Sequence, residues 1–164
     1  MKKSTSQLTQ GAVIAALYVI FTLLSNAFGL SSGVIQLRVS EALYAIAIFS
    51  PSAILGLFVG CLLSNIIVGG ILIDVIFGSI ATLIGAFFTY KLRKYPFYAL
   101  IPPILSNAII IPPILKFAYG FEGSVWYFVL TVGIGEFLSC GVLGYFLYLA
   151  LKKTGLNDKT KMGL

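Results

Sequence analysis

Long stretches of this chain carry no charge at all: residues 8–28, 42–73, 75–90, 95–115, 123–135 and 137–151 contain no Asp, Glu, Lys or Arg. A helix crosses the hydrocarbon of a bilayer with roughly 20 consecutive apolar residues. Uncharged runs of this length, one after another, leave little choice but an all-α integral membrane protein. Composition agrees, with 59% hydrophobic residues, 10% charged and a mean hydropathy of +1.04. Soluble domains carry about 25% charged residues.

Break signals divide the runs into six expected spans, at about 8–28, 37–49, 53–68, 71–90, 97–115 and 124–151. Gly29 to Gly33 forms the first break, Ser50-Pro51-Ser52 the second and Gly69-Gly70 the third. The basic cluster Lys91 to Lys94 ends the fourth span, and Pro102-Pro103 and Pro112-Pro113 bracket the fifth. The second span is the shortest and needs help from 33–36, or a re-entrant path, to cross. No linker or soluble segment is left over, so residues 1–164 read as one membrane domain.

Of the eleven basic residues, nine lie at the two termini and in the 91–94 loop. Only Lys116 and Glu122 decorate the opposite loops. By the positive-inside rule both termini and that loop are cytoplasmic. The net charge of +6 therefore reports topology and gives no reason to expect a nucleic-acid partner. Lys2-Lys3, an apolar run and Ser25-Asn26-Ala27 also resemble a cleaved signal peptide. The run is long enough to be a retained span, which keeps the charge parity intact.

Several chemistries are excluded. There is no histidine, which removes imidazole metal sites and Ser-His or Cys-His catalysis. Cys61 and Cys140 fall inside spans, where burial keeps a thiol protonated and inert. No glycine-rich loop ends in Gly-Lys-Ser/Thr, so ATP is not bound by the P-loop route. No nucleophile–base set, metal cluster or cofactor signature is visible, and the chain is not expected to be an enzyme or to need a cofactor.

Against this background the polar residues inside spans stand out: Arg38, Glu41, Asn65, Asp74, Asn107 and Glu136. A charged side chain at the bilayer centre costs roughly 2.5–3.5 kcal/mol on insertion scales, so it normally lines a cavity or meets a partner. With the topology above, these groups converge on the outer half of the membrane, as a pocket open to the outside requires. Arg38 and Glu41, three residues apart, share a helix face and could form a mutual ion pair. Glu136 follows Gly133-Ile134-Gly135, and glycines there let a ligand or another backbone come close. Trp126, with Tyr119 and Tyr127, offers rings for stacking near the outer face.

Small residues mark packing faces. Ala12 and Ala16 share one face of the first span, beside Gly11 and Ala15, and Gly56, Gly60 and Ser64 form a ridge on the third. In lipid, small residues four apart allow close helix approach, either within the bundle or to a partner.

Leu37-Arg38-Val39-Ser40-Glu41-Ala42-Leu43, Gly56-Leu57-Phe58-Val59-Gly60-Cys61, the run Asp74 to Leu83, Ser106-Asn107-Ala108 and Gly133-Ile134-Gly135-Glu136 together resemble the QueT family. These are S components of energy-coupling-factor (ECF) transporters assigned to queuosine precursors, and the resemblance extends over Gln7 to Lys152. It implies a six-helix subunit of a bacterial plasma membrane, with an outward-facing pocket for a vitamin-like solute. It also implies a separate membrane coupling protein and a pair of ABC-type ATPase subunits as partners, with Ala12 and Ala16 meeting the coupling protein. A guanine-like edge presents adjacent N–H donors to a carboxylate, Glu136 or Glu41, and a carbonyl to an amide, Asn107 or Asn65. The aminomethyl group of a prequeuosine base is cationic and suits the excess of carboxylates over Arg38. Two other readings remain at this stage: an S component for another small metabolite, and an autonomous transporter with Glu136 as proton relay.

Overall fold

The computed structural model describes residues 2–30 and 36–154, with side chains from Thr5 onward. The break at Ser31 to Gly33, the stretch 33–35 and the tail lysines Lys159 and Lys161 lie outside the described residues. In chain order the helices are α1 (Lys2–Ala27), α2 (Tyr44–Ala47), α3 (Ser52–Ile67), α4 (Leu72–Lys91), α5 (Pro96–Ala99), α6 (Ile101–Pro113), α7 (Val125–Glu136) and α8 (Gly144–Lys153). Three tighter or wider turns extend them: a 3₁₀ segment Val39–Leu43 before α2, and π segments Ile114–Ala118 after α6 and Phe137–Leu143 between α7 and α8. No strand occurs among the described residues.

Among the described residues four helical stretches are long and apolar enough to cross a membrane: Thr5–Ala27, Leu72–Lys91, Pro96–Ala118 and Val125–Lys153. The helix Ser52–Ile67 is equally apolar but shorter. Large apolar side chains such as Leu55, Leu72, Ile109, Leu130 and Phe146 point outward and form the surface that lipid would cover.

Local chemistry explains the ends. Asp74 sits in the first turn of α4 and Lys91 in its last, each matching the sign of the helix dipole. Gly69 takes a positive φ of 79°, which lets the chain after α3 turn back so that the Gly70 N–H donates to the Asn65 carbonyl at 2.8 Å. Ser124 caps α7, its Oγ accepting from the Tyr127 N–H at 3.1 Å. Pro102 and Pro103 fall in the first turn of α6, where missing N–H groups cost little. Pro112 and Pro113 remove donors further along, and the helix widens into a π segment directly after them.

The expected second span takes a different form. Over 37–49 there is no continuous helix, only the 3₁₀ segment and one α turn. Ser40 to Ala45 and Ala47 are all buried. A segment wrapped in protein on every side is released from the length that lipid imposes on a spanning helix. It still runs antiparallel to α1. The Val39 N–H donates to Ser25 Oγ at 3.0 Å, and Ser50 Oγ donates to Gln10 Oε1 at 3.2 Å. Fifteen residues of α1 between those points rise about 22 Å, while eleven α-helical steps from 39 to 50 would rise only about 17 Å. The 3₁₀ turns, at about 2.0 Å per residue, make up part of the shortfall.

Glycines bring the elements together. A Cβ on Gly56 would lie 2.7 Å from the Gly11 carbonyl oxygen, and one on Gly60 would lie 2.7 Å from Tyr18 Cβ. The Gly56–Gly60–Ser64 ridge therefore packs inside the bundle, against Gly11, Ala15 and Tyr18 of α1. Ala12 and Ala16, one residue on from Gly11 and Ala15, remain exposed. Around this crossing Ile14, Tyr18, Leu43, Tyr44, Ala53 and Leu57 form part of the main apolar core.

Candidate substrate-binding site

The polar residues singled out from the sequence fall into two adjoining chambers. The inner one, about 20 Å³, is lined by Arg38, Glu41, Asn107 and Glu136 together with Gln36 and Thr82. The outer one, about 230 Å³, is lined by Asn65, Asp74, Tyr119 and Phe121, again with Gln36 and Arg38. Gln36 and Arg38 thus belong to both walls. An apolar cavity of about 150 Å³ accommodates benzene, so the outer chamber has the room of a somewhat larger ring. By the same measure the inner one holds about one water.

Two carboxyl groups from different elements meet at the inner chamber. Glu41 comes from the 3₁₀ segment and is 2% exposed; Glu136 ends α7 and is 9% exposed. One oxygen of Glu41, Oε1, accepts a hydrogen bond from the Tyr18 hydroxyl. Its other oxygen, Oε2, is buried without a hydrogen-bond partner among the described residues, and so is Oε2 of Glu136. The side chain of Asn107, on α6, faces the Glu136 carboxyl. The buried Tyr44 hydroxyl also lacks a partner and lies close to both glutamates. Unsatisfied buried polar atoms are costly, of order 1–3 kcal/mol each. Two of these atoms, on Glu41 and Glu136, belong to residues that line the same chamber and offer acceptors there. An Arg38–Glu41 ion pair is not what holds Glu41: its hydrogen bond comes from α1.

The glycines beside Glu136 divide their work. A Cβ on Gly135 would sit 2.2 Å from the Gln36 carbonyl oxygen, so it is another backbone that comes close there. That contact, with the Arg38 N–H donating to Ser139 Oγ at 3.2 Å, ties residues 36–38 to α7 and the π segment after it. Gly133 meets only Ala108 Cβ, at 4.0 Å. Glu136 is the last α-helical residue before seven residues of π-helix, a kind of irregularity frequent at functional sites.

In the outer chamber Asp74 is held differently. Its Oδ2 accepts from the Tyr119 hydroxyl at 3.0 Å, and that hydroxyl in turn accepts from the Ile71 N–H at 3.3 Å. Asn65 donates to Cys61 Sγ at 3.5 Å. Tyr119 stacks on Phe121, ring centroids 5.6 Å apart. Of the three rings proposed for stacking, Tyr119 alone lines either of these chambers. Trp126, on the first turn of α7, is 79% exposed and lines neither chamber, and Tyr127 is also exposed. Position at the outer end of a span brought Trp126 to attention, but the helix face it occupies points away from the bundle, where an indole suits the membrane interface.

Gln36, Thr82 and Tyr18 were not singled out by sequence reasoning. A signal for Tyr18 existed: Tyr18, Thr22 and Ser25 stand at i, i+4 and i+7 in the otherwise apolar run 11–25, a polar stripe on one face.

The architecture is that of a helical membrane protein with polar residues gathered around two buried chambers, and comparison with known proteins gives its family. A family model described as QueT transporter matches residues 8–153. The chain belongs to the QueT transporter family, a family of transporters and not of enzymes. It is similar to the queuosine precursor transporter QueT of Lactococcus lactis subsp. cremoris (strain MG1363), with 41% identity over 85 residues. That alignment covers 51% of this chain and 50% of the relative, about half the length of each. No solved structure matches the chain.

Proposed function

We propose that this chain captures a queuosine precursor of the 7-deazaguanine type from outside the cell and hands it to an ATP-driven import complex. The observation that carries the reading is the pair of buried glutamates, Glu41 and Glu136, each with an unpartnered oxygen at one chamber beside the Asn107 amide. A guanine-like edge offers two adjacent N–H donors and a carbonyl, which a carboxylate and an amide complement. The ring lies in the outer chamber near Tyr119, with its polar edge directed past Arg38 toward Glu136 and Asn107, and with Glu41 beside them. Asn65 and Asp74 line the outer wall and contact the ring's periphery. Trp126 has no part in this arrangement.

The topology follows the charge distribution, with both termini and the 91–94 loop cytoplasmic. The chain is then a six-pass S component of a bacterial plasma membrane. A groove of about 600 Å³ runs along the outside of α1 and α3, lined by Leu8, Gly11, Ala12, Leu55, Gly56 and Val59. Its small residues let another helix approach closely, and it is the docking face for the membrane coupling protein that carries the two ATPase subunits. Ala16, exposed one turn beyond Ala12, extends the same face.

Calorimetric titration of the purified protein with 7-deazaguanine bases and nucleosides tests the ligand, and no binding across that panel refutes it. Uptake in cells lacking the ATPase subunits tests the coupling. Transport that persists there but collapses with the proton gradient would establish an autonomous carrier instead.

A further inference from the structure

The polar stripe on α1 forms a seam with the segment that carries Glu41. Going up the helix, the Tyr18 hydroxyl donates to Glu41 Oε1, Thr22 Oγ1 donates to Ser40 Oγ at 2.9 Å, and Ser25 Oγ accepts from the Val39 N–H at 3.0 Å. Three successive residues of the segment are thus held by three successive turns of one helix, in reverse order. Tyr18 is 1% exposed, and its Cβ lies against the Gly60 backbone, close enough that a Cβ on Gly60 would come within 2.7 Å. The ring is clamped where α1 crosses α3 by its burial and by the bond at its hydroxyl.

Clamping matters because of what it does to Glu41. A carboxylate with both oxygens free can rotate and accept at either. With Oε1 occupied by Tyr18, the group presents a single acceptor, Oε2, at the chamber wall. One acceptor oxygen in a fixed place suits a compact ammonium better than the paired donors of a guanine edge, which Glu136 and Asn107 complement. We propose that Tyr18 is a positioning residue of the binding site, which by holding one oxygen of Glu41 aims the other at a positively charged substituent of the transported molecule. Selectivity for a cationic over a neutral base then originates on α1, a helix whose side chains supply none of the groups assigned to the base edge.

This inference rests on the reading of the inner chamber as the ligand site, and the test separates the two. The probes are 7-aminomethyl-7-deazaguanine, a cation, and its 7-cyano counterpart, which is neutral and of similar shape. Each is titrated calorimetrically into the purified full chain, into Tyr18→Phe and into Glu41→Gln, with thermal unfolding recorded for each protein. Wild type should prefer the cation. Tyr18→Phe should weaken cation binding about tenfold or more, in line with loss of a hydrogen bond to a charged group, and change neutral binding less than about twofold. Glu41→Gln should abolish the preference with Tyr18 in place. Equal weakening of both probes in Tyr18→Phe, or no change in either, overturns the positioning role while leaving the ligand reading intact. Should wild type bind neither probe, the ligand reading falls and this inference with it. A Tyr18→Phe protein that unfolds leaves the decision to Glu41→Gln, whose undiminished preference for the cation overturns the proposal alone.

Discussion

Gly135→Ala should be far more damaging than Gly133→Ala, though both glycines precede Glu136 on the same helix. An alanine Cβ at 135 would meet the Gln36 carbonyl oxygen at 2.2 Å, against 3.4–4 Å for ordinary contact, so one backbone must retreat by more than 1 Å. The obstacle is not a flexible side chain. Residues 36–39 are pinned by the Arg38 N–H to Ser139 and the Val39 N–H to Ser25. Overpacking costs about 1–3 kcal/mol, and a pinned backbone puts this case near about 3 kcal/mol. Gln36 and Arg38 line both chambers, so the displacement also reaches the site. Each 1.4 kcal/mol expressed in binding is about tenfold in affinity. At 133 the new Cβ meets only Ala108 Cβ at 4.0 Å, and the change should be neutral or gain up to about 1 kcal/mol of helix propensity. Thermal unfolding in detergent, paired with titration of a 7-deazaguanine, reads both quantities. If Gly135→Ala melts and binds like Gly133→Ala, the close approach of residue 36 to α7 is wrong.

Other changes test the site, the docking face and the topology. Glu136→Gln should weaken binding of a 7-deazaguanine more than Asp74→Asn, because Asp74 already accepts from Tyr119 whereas Glu136 has a free buried oxygen; unchanged affinity of a folded Glu136→Gln by calorimetry would remove Glu136 from the site. Ala12→Leu with Ala16→Leu should leave ligand affinity unchanged and abolish both cellular uptake and co-purification with the ATPase subunits; lost affinity with assembly preserved would refute the docking face. A cysteine at position 93 should resist a membrane-impermeant thiol reagent in intact cells while one at 122 reacts, and both native cysteines are buried, which keeps background labelling low. Labelling at 93 alone would invert the topology.

The sequence makes much of this arrangement legible because the signals are absolute: a charge in hydrocarbon, a long apolar run, a glycine pair. Arg38, Glu41, Asn107 and Glu136 share a chamber because no other place on an apolar bundle tolerates them. Asp74 and Asn65 are legible as buried, but the wall they share in a separate outer chamber includes Tyr119, 45 residues from Asp74 in sequence and joined to it by one hydroxyl. The form of 37–49 was hidden for a different reason. Length rules for spans assume a lipid-facing helix, and this segment has protein on all sides. Depth along the chain carries no information about which way a helix face points, and the face that bears Trp126 is exposed, away from both chambers. Gly133-Ile134-Gly135 declares a close approach without declaring the visitor, which at 135 is the carbonyl of Gln36.

The enclosure of Ser40 to Ala45 has a further consequence. Long helices that face lipid answer to bilayer thickness, tilting or thinning the membrane around them at a cost of fractions of a kcal/mol per Å of mismatch. The segment bearing Glu41 is insulated from that adjustment, hung from α1 by three side-chain hydrogen bonds and surrounded by neighbours of fixed shape. Membranes of different thickness would reach that segment only through the helices that hold it, whereas Glu136 rides on the long apolar stretch Val125–Lys153. The segment behaves in this respect like the interior of a water-soluble protein that happens to be carried inside a bilayer.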